Sequence, residues 1–353
     1  VTIPSCGSIT TLLLNALLPT ALAGRPPVVA DTAAPRDDIS EAAWTWRTQA
    51  EPPPKDAVRL VIVGDIGTGK RPTPDEPPAS PILDAARQQC SVAPCDGVVL
   101  LGDNRYPSGI GNERDKAWLT DWAAAWTDGE PRIAPLYLVL GNHDWTPLVP
   151  QRVVARRELA WARGTADVKG DSHFWTVDLG PVRLVAWDTN PMIRSRQWDR
   201  DLHDPTTPVR QMLDALSADA GEDWVVGLSH HPVRSVGRHG DAGSYRDLGM
   251  RMWPGKGLRD AFHDALMTGP YRLWLAGHDH NLQLWPDERS ASAVLGSGAK
   301  LSRLNATGDL WWEEHGFAIL DATADALRLT VFDASGTRLG GMHTDHDGVW
   351  AYR

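Results

Sequence analysis

From residue 58 to the carboxyl terminus the hydrophobic positions follow two periods. Short apolar runs of strand length alternate with stretches whose apolar residues recur every three or four positions. The runs VRLVIVG (58–64), GVVLLGD (97–103) and LYLVLGN (136–142) predict strands. Between and after them, PILDAARQQC (81–90), NERDKAWLTDWAAAW (112–126) and QRVVARRELAWAR (151–163) predict helices. In the second helix Trp118, Trp122 and Trp126 fall at i, i+4 and i+8, on one face. This alternation is the signature of parallel strands joined by helical crossovers.

The second half is richer in strands. HFWTVDLG (173–180), VRLVAWD (182–188), DWVVGLSH (223–230), YRLWLAGH (271–278), LQLWP (282–286), SAVLGSG (292–298), GFAILDA (316–322) and LRLTVFDASG (327–336) all read as strands. Helices are expected at about 208–217 and 257–267, and DLGPVRLV and ADALRLTVF read as hairpin turns. No internal repeat or low-complexity segment appears. The expected architecture is one α/β domain over 58–353, with a mixed β core of two packed sheets and helices outside.

The amino-terminal part differs. Residues 25–57, with GRPPVVADTAAPRDD and EPPPKD, read as a Pro/Ala-rich linker or arm. The apolar stretch 11–24 ends in Ala21-Leu22-Ala23, the small-x-small pattern of a signal-peptidase site, although residues 1–10 lack Lys and Arg. Residues 1–24 are therefore expected to be a signal peptide, and the protein secreted or periplasmic. No later segment reaches the roughly 18 apolar residues that span a bilayer, so no membrane partner is expected after signal removal.

The net charge of -10 argues against a general nucleic-acid binder, because phosphate neutralisation needs a basic surface. The 17 tryptophans are scattered along the chain and read as packing residues. Cys90 and Cys95 have no second Cys or His pair at zinc-ribbon spacing. They form either a small disulfide loop in an exported protein or two reduced, buried thiols.

Five apolar runs end in residues that packing does not require: VGDIG (Asp65), LGDNRY (Asp103, Tyr106), LGNHD (Asn142, His143), LSHHP (His230, His231) and AGHDHN (His278, His280). Ligands bind at the carboxyl ends of strands in open α/β sheets, so these ends should converge. Glycine precedes the key residue in four of the five, allowing a sharp turn. Oxygen donors mixed with histidine nitrogens, and no thiolate, suit Fe, Mn or Zn.

The ordered set GDxG…GDxxY…GNHD…HxP…GHxH resembles the calcineurin-type metallophosphoesterases. Within them it is similar to the short, single-domain purple acid phosphatases of the tartrate-resistant type. HHPVRSVGRHG (230–240), GHDHNLQ (277–283), LGSGAK (295–300) and GFAILDA extend the likeness. The resemblance implies a four-layer α-β-β-α sandwich of two mixed sheets, with a dinuclear metal site at the strand carboxyl ends. Asp65, Tyr106 and His280 would hold Fe(III), and Asn142, His230 and His278 a divalent ion (Fe, Zn or Mn), with Asp103 bridging.

The implied activity is that of an acid phosphatase, attacking a small phosphorylated substrate with a metal-bound hydroxide. His143 is expected near the leaving oxygen as general acid, with His239 a second candidate for that work. Asp144 and Asp279 are expected to orient histidine ligands, and His231 to be structural. The chain departs from its relatives at Ile66 and Arg105, where aromatic residues are common; Arg105 either binds a substrate anion or faces solvent.

Three other readings compete. Gly64, Gly69 and Lys70 match most of a phosphate-binding loop. Arg71 replaces its Ser or Thr, however, and prolines at 72, 74, 77, 78 and 81 forbid the helix it needs. A phosphodiesterase or nucleotidase on the same framework, and a non-catalytic redox or metal-binding protein, are the remaining alternatives.

Overall fold

The computed structural model describes residues 56–68, 81–145, 151–194, 211, 214, 224–241, 246–247, 250–251, 269–345 and 349–352. All belong to one compact unit, Pro52–Arg353. The expected signal peptide, the linker up to residue 55, and the segment 69–80 with Lys70 lie outside the described residues.

The first half gives β1 (Val58–Val63), α1 (Pro81–Val92), β2 (Gly97–Leu100), α2 (Glu113–Thr127), β3 (Leu136–Leu138), α3 (Asn142–Trp145), α4 (Gln151–Gly164) and β4 (Val168–Lys169). There follow β5 (Phe174–Leu179), β6 (Val182–Trp187), α5 (Asn190–Arg194), β7 (Trp224–Ser229), β8 (Arg246–Asp247) and β9 (Met250–Arg251). The last part holds β10 (Tyr271–Ala276), β11 (Leu282–Trp285), β12 (Ala291–Leu295) and β13 (Trp311–Trp312). It ends with β14 (Gly316–Ala322), β15 (Ala326–Asp333), β16 (Arg338–Asp345) and β17 (Ala351–Tyr352).

Two mixed sheets form the core. One has the order β17-β16-β15-β14-β1-β2-β3-β4 and the other β13-β11-β12-β10-β7-β6-β5. In the first, β1, β2, β3 and β4 run parallel while β14 is antiparallel to β1. In the second, β6, β7, β10 and β12 run parallel.

Alternation along β1 shows how the layers are built. Leu60 and Ile62 face the second sheet, in a cluster with Leu184, Leu228, Leu273 and Leu295. Val61 and Val63 face the helices, among Ile82, Trp118, Trp122 and Trp126. The period-2 geometry of a strand sends neighbouring residues to opposite faces, so a run apolar throughout serves two interfaces. Helix α2 presents its predicted tryptophan stripe to this second cluster, with successive rings 6.4 and 5.5 Å apart. Asn112 caps its start, accepting hydrogen bonds from the N–H groups of Arg114 and Asp115. Of the helix expected at about 208–217, Gln211 and Asp214 are helical; the rest of it, and the one at about 257–267, lie outside the described residues.

Cys90 and Cys95 form a disulfide, closing the loop between α1 and β2. This decides between the two readings that spacing had left open.

Candidate metal centre

The five strands that carry the predicted site run in two parallel groups. β1, β2 and β3 are neighbours in one sheet, and β7 and β10 in the other, so their carboxyl ends emerge together. Backbone hydrogen bonds tie the ends together, one between the two sheets and the others within each sheet. The Gly64 N–H donates to Leu295 O (2.8 Å), Asp65 N–H to Gly102 O (3.0 Å), and Gly277 N–H to His230 O (3.0 Å).

The glycines before these residues act in different ways. Of the four, Gly102 takes a positive φ (+88°). At Gly141 the need is space, since a Cβ there would lie 2.2 Å from Asp103 Oδ1. The left-handed turns fall largely on the site residues themselves: Asp65 (φ 58°), Asp103 (φ 55°) and His278 (φ 71°). Non-glycine residues in this region carry strain of order 1–3 kcal/mol each and gather at functional sites.

The seven predicted ligands converge. On one side the Tyr106 hydroxyl donates to Asp65 Oδ1 at 2.8 Å and lies 3.3 Å from His280 Nε2. His280 Nε2 is itself 3.3 Å from Asp65 Oδ1. On the other side Asn142 Oδ1 lies 2.9 Å from both His230 Nε2 and His278 Nδ1. Asp103 stands beside this group, its Oδ1 3.5 Å from His230 Nε2. Asp65, Asp103 and His230, all buried, bring one donor atom each within 4.8 Å of one another, a spacing that fits a metal ion.

The donor chemistry also fits cations. His230 gives its Nδ1–H to Leu101 O at 2.8 Å, so in the neutral ring Nε2 presents a lone pair. That lone pair faces the oxygens of Asn142 and Asp103, and acceptor against acceptor is an arrangement a metal ion resolves. Burial and the surrounding histidines push the His278 pKa well down, keeping the ring neutral and able to ligate. For Tyr106, burial and then the charges of Asp103 and Asp65 push the phenol well up, so a phenolate here requires a nearby cation. Burial would raise Asp65, but the His280 hydrogen bond, the charges of His230 and His280 and the Tyr106 hydrogen bond hold it at about 2.

His143 sits at the rim, on α3. Its Nδ1–H donates to Pro107 O at 2.6 Å, its Nε2 lies 3.9 Å from Asp103 Oδ2, and its ring is 4.4 Å from that of Tyr106. Its own backbone N–H donates to Asp103 Oδ1 at 2.8 Å. His239 also reaches the site, its ring 4.7 Å from that of His278 and 5.6 Å from that of His280. His231 is buried, its Nδ1 2.7 Å from Thr189 Oγ1.

Three expectations need correction. Asp144 orients backbone rather than a histidine. It accepts from the N–H groups of Asn104 (3.0 Å), Arg105 (3.2 Å) and Gly141 (2.7 Å), fastening the loop after β2 to the loop after β3. Asp279 likewise accepts from the His239 N–H (2.8 Å) and the Ser235 hydroxyl, so it fixes the His239 loop. Arg105 takes neither predicted role. It pairs with Asp115 at 3.1 Å and stacks on Trp118, with its guanidinium carbon 4.6 Å from the ring centroid.

Sequence reasoning missed Asn104 and Glu158. The Asn104 amide donates to Val139 O (2.8 Å), Glu158 Oε1 (3.0 Å) and Asp144 Oδ2 (3.2 Å). Glu158 was findable, because it falls with Val154, Ala155 and Ala162 on the buried stripe of α4.

Comparison with known proteins agrees with this geometry. The family model "Calcineurin-like phosphoesterase" matches residues 58–282. Human tartrate-resistant acid phosphatase type 5 is 25% identical, over 80% of this chain and 89% of that protein. Purple acid phosphatase 17 of Arabidopsis thaliana is 28% identical over 58% of each chain. Among solved structures, the purple acid phosphatase PPD1 from yellow lupin superposes with a TM-score of 0.55 at 16% identity, covering 84% of this chain and 55% of that one.

Proposed function

The chain belongs to the calcineurin-like phosphoesterase family, and from that premise we propose that it is an acid phosphatase hydrolysing phosphomonoesters at a dinuclear metal centre. The observation that carries the reading is the convergence of seven oxygen and nitrogen donors from five strand ends, with the acceptor groups of His230, Asn142 and Asp103 facing one another. Asp65, Tyr106 and His280 would hold Fe(III), since a hard ion favours anionic oxygen. Asn142, His230 and His278 would hold a divalent ion, and Asp103 would bridge the two. When bound, the ions would supply a nucleophile at mildly acidic pH and would offset charge on the phosphoryl group.

The chain's own groups do the rest. The Nδ1–H of His143 is engaged by Pro107 O, so a proton taken up by the ring is held at Nε2, 3.9 Å from Asp103 Oδ2. From there it can pass to the leaving alkoxide. His239, whose loop Asp279 fixes, borders the His278–His280 side and is placed to bind a phosphoryl oxygen. Export is supported by the Cys90–Cys95 disulfide, since such bonds persist in oxidising compartments. Among the described residues no helix is long and apolar enough to cross a membrane.

Metal analysis with a visible spectrum, followed by a panel of monoesters and diesters across pH, tests the reading. Iron, a violet to pink colour and turnover of monoesters at acidic pH are expected. A colourless, iron-free, active enzyme would replace the iron with two divalent ions. Absence of turnover on every ester would leave a metal-binding protein.

A further inference from the structure

Lys300 lies on the loop after β12, outside the predicted ligand set. Its Nζ stands 3.2 Å from the centroid of the Tyr106 ring, over the face of the phenol whose hydroxyl donates to Asp65. The backbone on both sides is pinned to the site. The Ala299 N–H donates to Asp65 O at 3.1 Å, and the Ser302 N–H to His280 O at 2.7 Å. Lysine stems are flexible, yet this one begins on a segment fixed to two predicted ligands.

Among the described residues, the ring face is the ammonium's one contact. An ammonium has three N–H donors and no acceptor, and a ring face engages charge without using up those donors. The ammonium thus sits beside the predicted ligands while keeping its donors for a ligand.

A phosphomonoester presents three non-bridging oxygens, and a diester two. With two oxygens taken up by a metal pair, only a monoester would have a third to offer. We propose that Lys300 anchors that third oxygen, and so selects phosphomonoesters, and free phosphate, over diesters. This rests on the phosphatase reading above but can be separated from it by experiment.

The test compares metal-loaded wild type, K300M and K300R. Calorimetric titration with inorganic phosphate is run beside rates on 4-nitrophenyl phosphate and bis(4-nitrophenyl) phosphate. Loss of a charge-assisted hydrogen bond predicts a phosphate Kd about tenfold weaker in K300M. The monoester KM should rise about as much, while kcat and the diester kcat/KM stay within about twofold. K300R should recover most of the loss, and added salt should shrink the difference.

Unchanged phosphate affinity in K300M, or equal losses on both esters, would overturn the proposal and leave the lysine a purely structural partner of Tyr106. If wild type hydrolyses only diesters but K300M still weakens phosphate, the monoester reading and the proposed selectivity both fall, and only the phosphate anchor stands. Metal content and melting temperature accompany each variant; should K300M lower either, K300Q carries the same comparison.

Discussion

Replacing Glu158 with glutamine removes a charge that α4 carries into the core. The carboxyl is fully buried, accepts from the Asn104 amide at 3.0 Å, and shares its surroundings with the equally buried Asp144. Burial is the main cause that pushes its pKa from 4.5 up to about 8, and the charges of Asp103 and Asp188 add to it. Asp144 is raised too, by burial and then by Glu158 and Asp103. Folded Glu158 therefore holds its proton more tightly than unfolded Glu158 does. Its stabilising contribution is complete below the unfolded carboxylate range and is lost as pH rises through about 8.

At about 1.4 kcal/mol per pKa unit, wild type should lose on the order of 4 kcal/mol from this group between pH ~4.5 and ~8. E158Q keeps an acceptor for Asn104 and places an NH2 where the protonated carboxyl had its O–H, so it should escape that loss. Urea unfolding of both metal-loaded proteins, at equal metal concentration and about pH 5, 6.5 and 8, reads the difference. Stability of E158Q relative to wild type should be near zero at the acid end and climb by roughly 1 kcal/mol per pH unit. A difference that stays flat across pH would show that Glu158 is already ionised in the folded protein, and the argument would fail.

Three further variants bear on the centre itself. Tyr106→Phe should abolish the violet band while iron remains, read by visible spectrum and metal analysis; persistent colour would locate the chromophore elsewhere. Asp103→Ala should lose both metals and hydrolysis of aryl phosphates, and retained turnover would defeat the bridging assignment. His143→Ala should keep its metal but turn over slower by about 100-fold or more, with a steeper loss for poor leaving groups. Equal losses for good and poor leaving groups would remove the general-acid role.

What the sequence displayed was set by how local each cause is. β1, β7 and β10 are predominantly apolar runs because both faces are covered, and such runs are legible without any partner. β16, with Gly340-Gly341 and polar residues at both ends, is a strand because β15 lies alongside, from Ala326 opposite Asp345 to Phe332 opposite Arg338. The two-residue strands β4, β8, β9, β13 and β17 exist only as register with a neighbour. α3 is one helical turn that sets Asn142 and His143 in place, too short for any periodic signal. The metal motifs, by contrast, were legible residue by residue, since each sits directly after a strand.

The left-handed backbone at Asp65, Asp103 and His278 belongs to neither group. Asp and His enter this region more readily than most residues, but nothing in VGDIG or AGHDHN requires it. The cause is the set of bonds made on leaving the strands. Asp65 donates its N–H to Gly102 O, its Oδ2 accepts the His278 N–H at 2.8 Å, and Asp103 Oδ1 accepts the His143 N–H. Asp65 thus orients a neighbouring segment with Oδ2 and leaves Oδ1 toward Tyr106, while Asp103 Oδ1 both accepts the His143 N–H and faces His230 Nε2. A straighter exit from β1 would carry Asp65 away from His278, loosening the two sheets where they meet. The strain is retained because the same residues that would hold metal also join the layers. For that reason Asp65→Asn, which can keep the acceptor for His278 but not the charge, should lower metal affinity far more than it lowers stability.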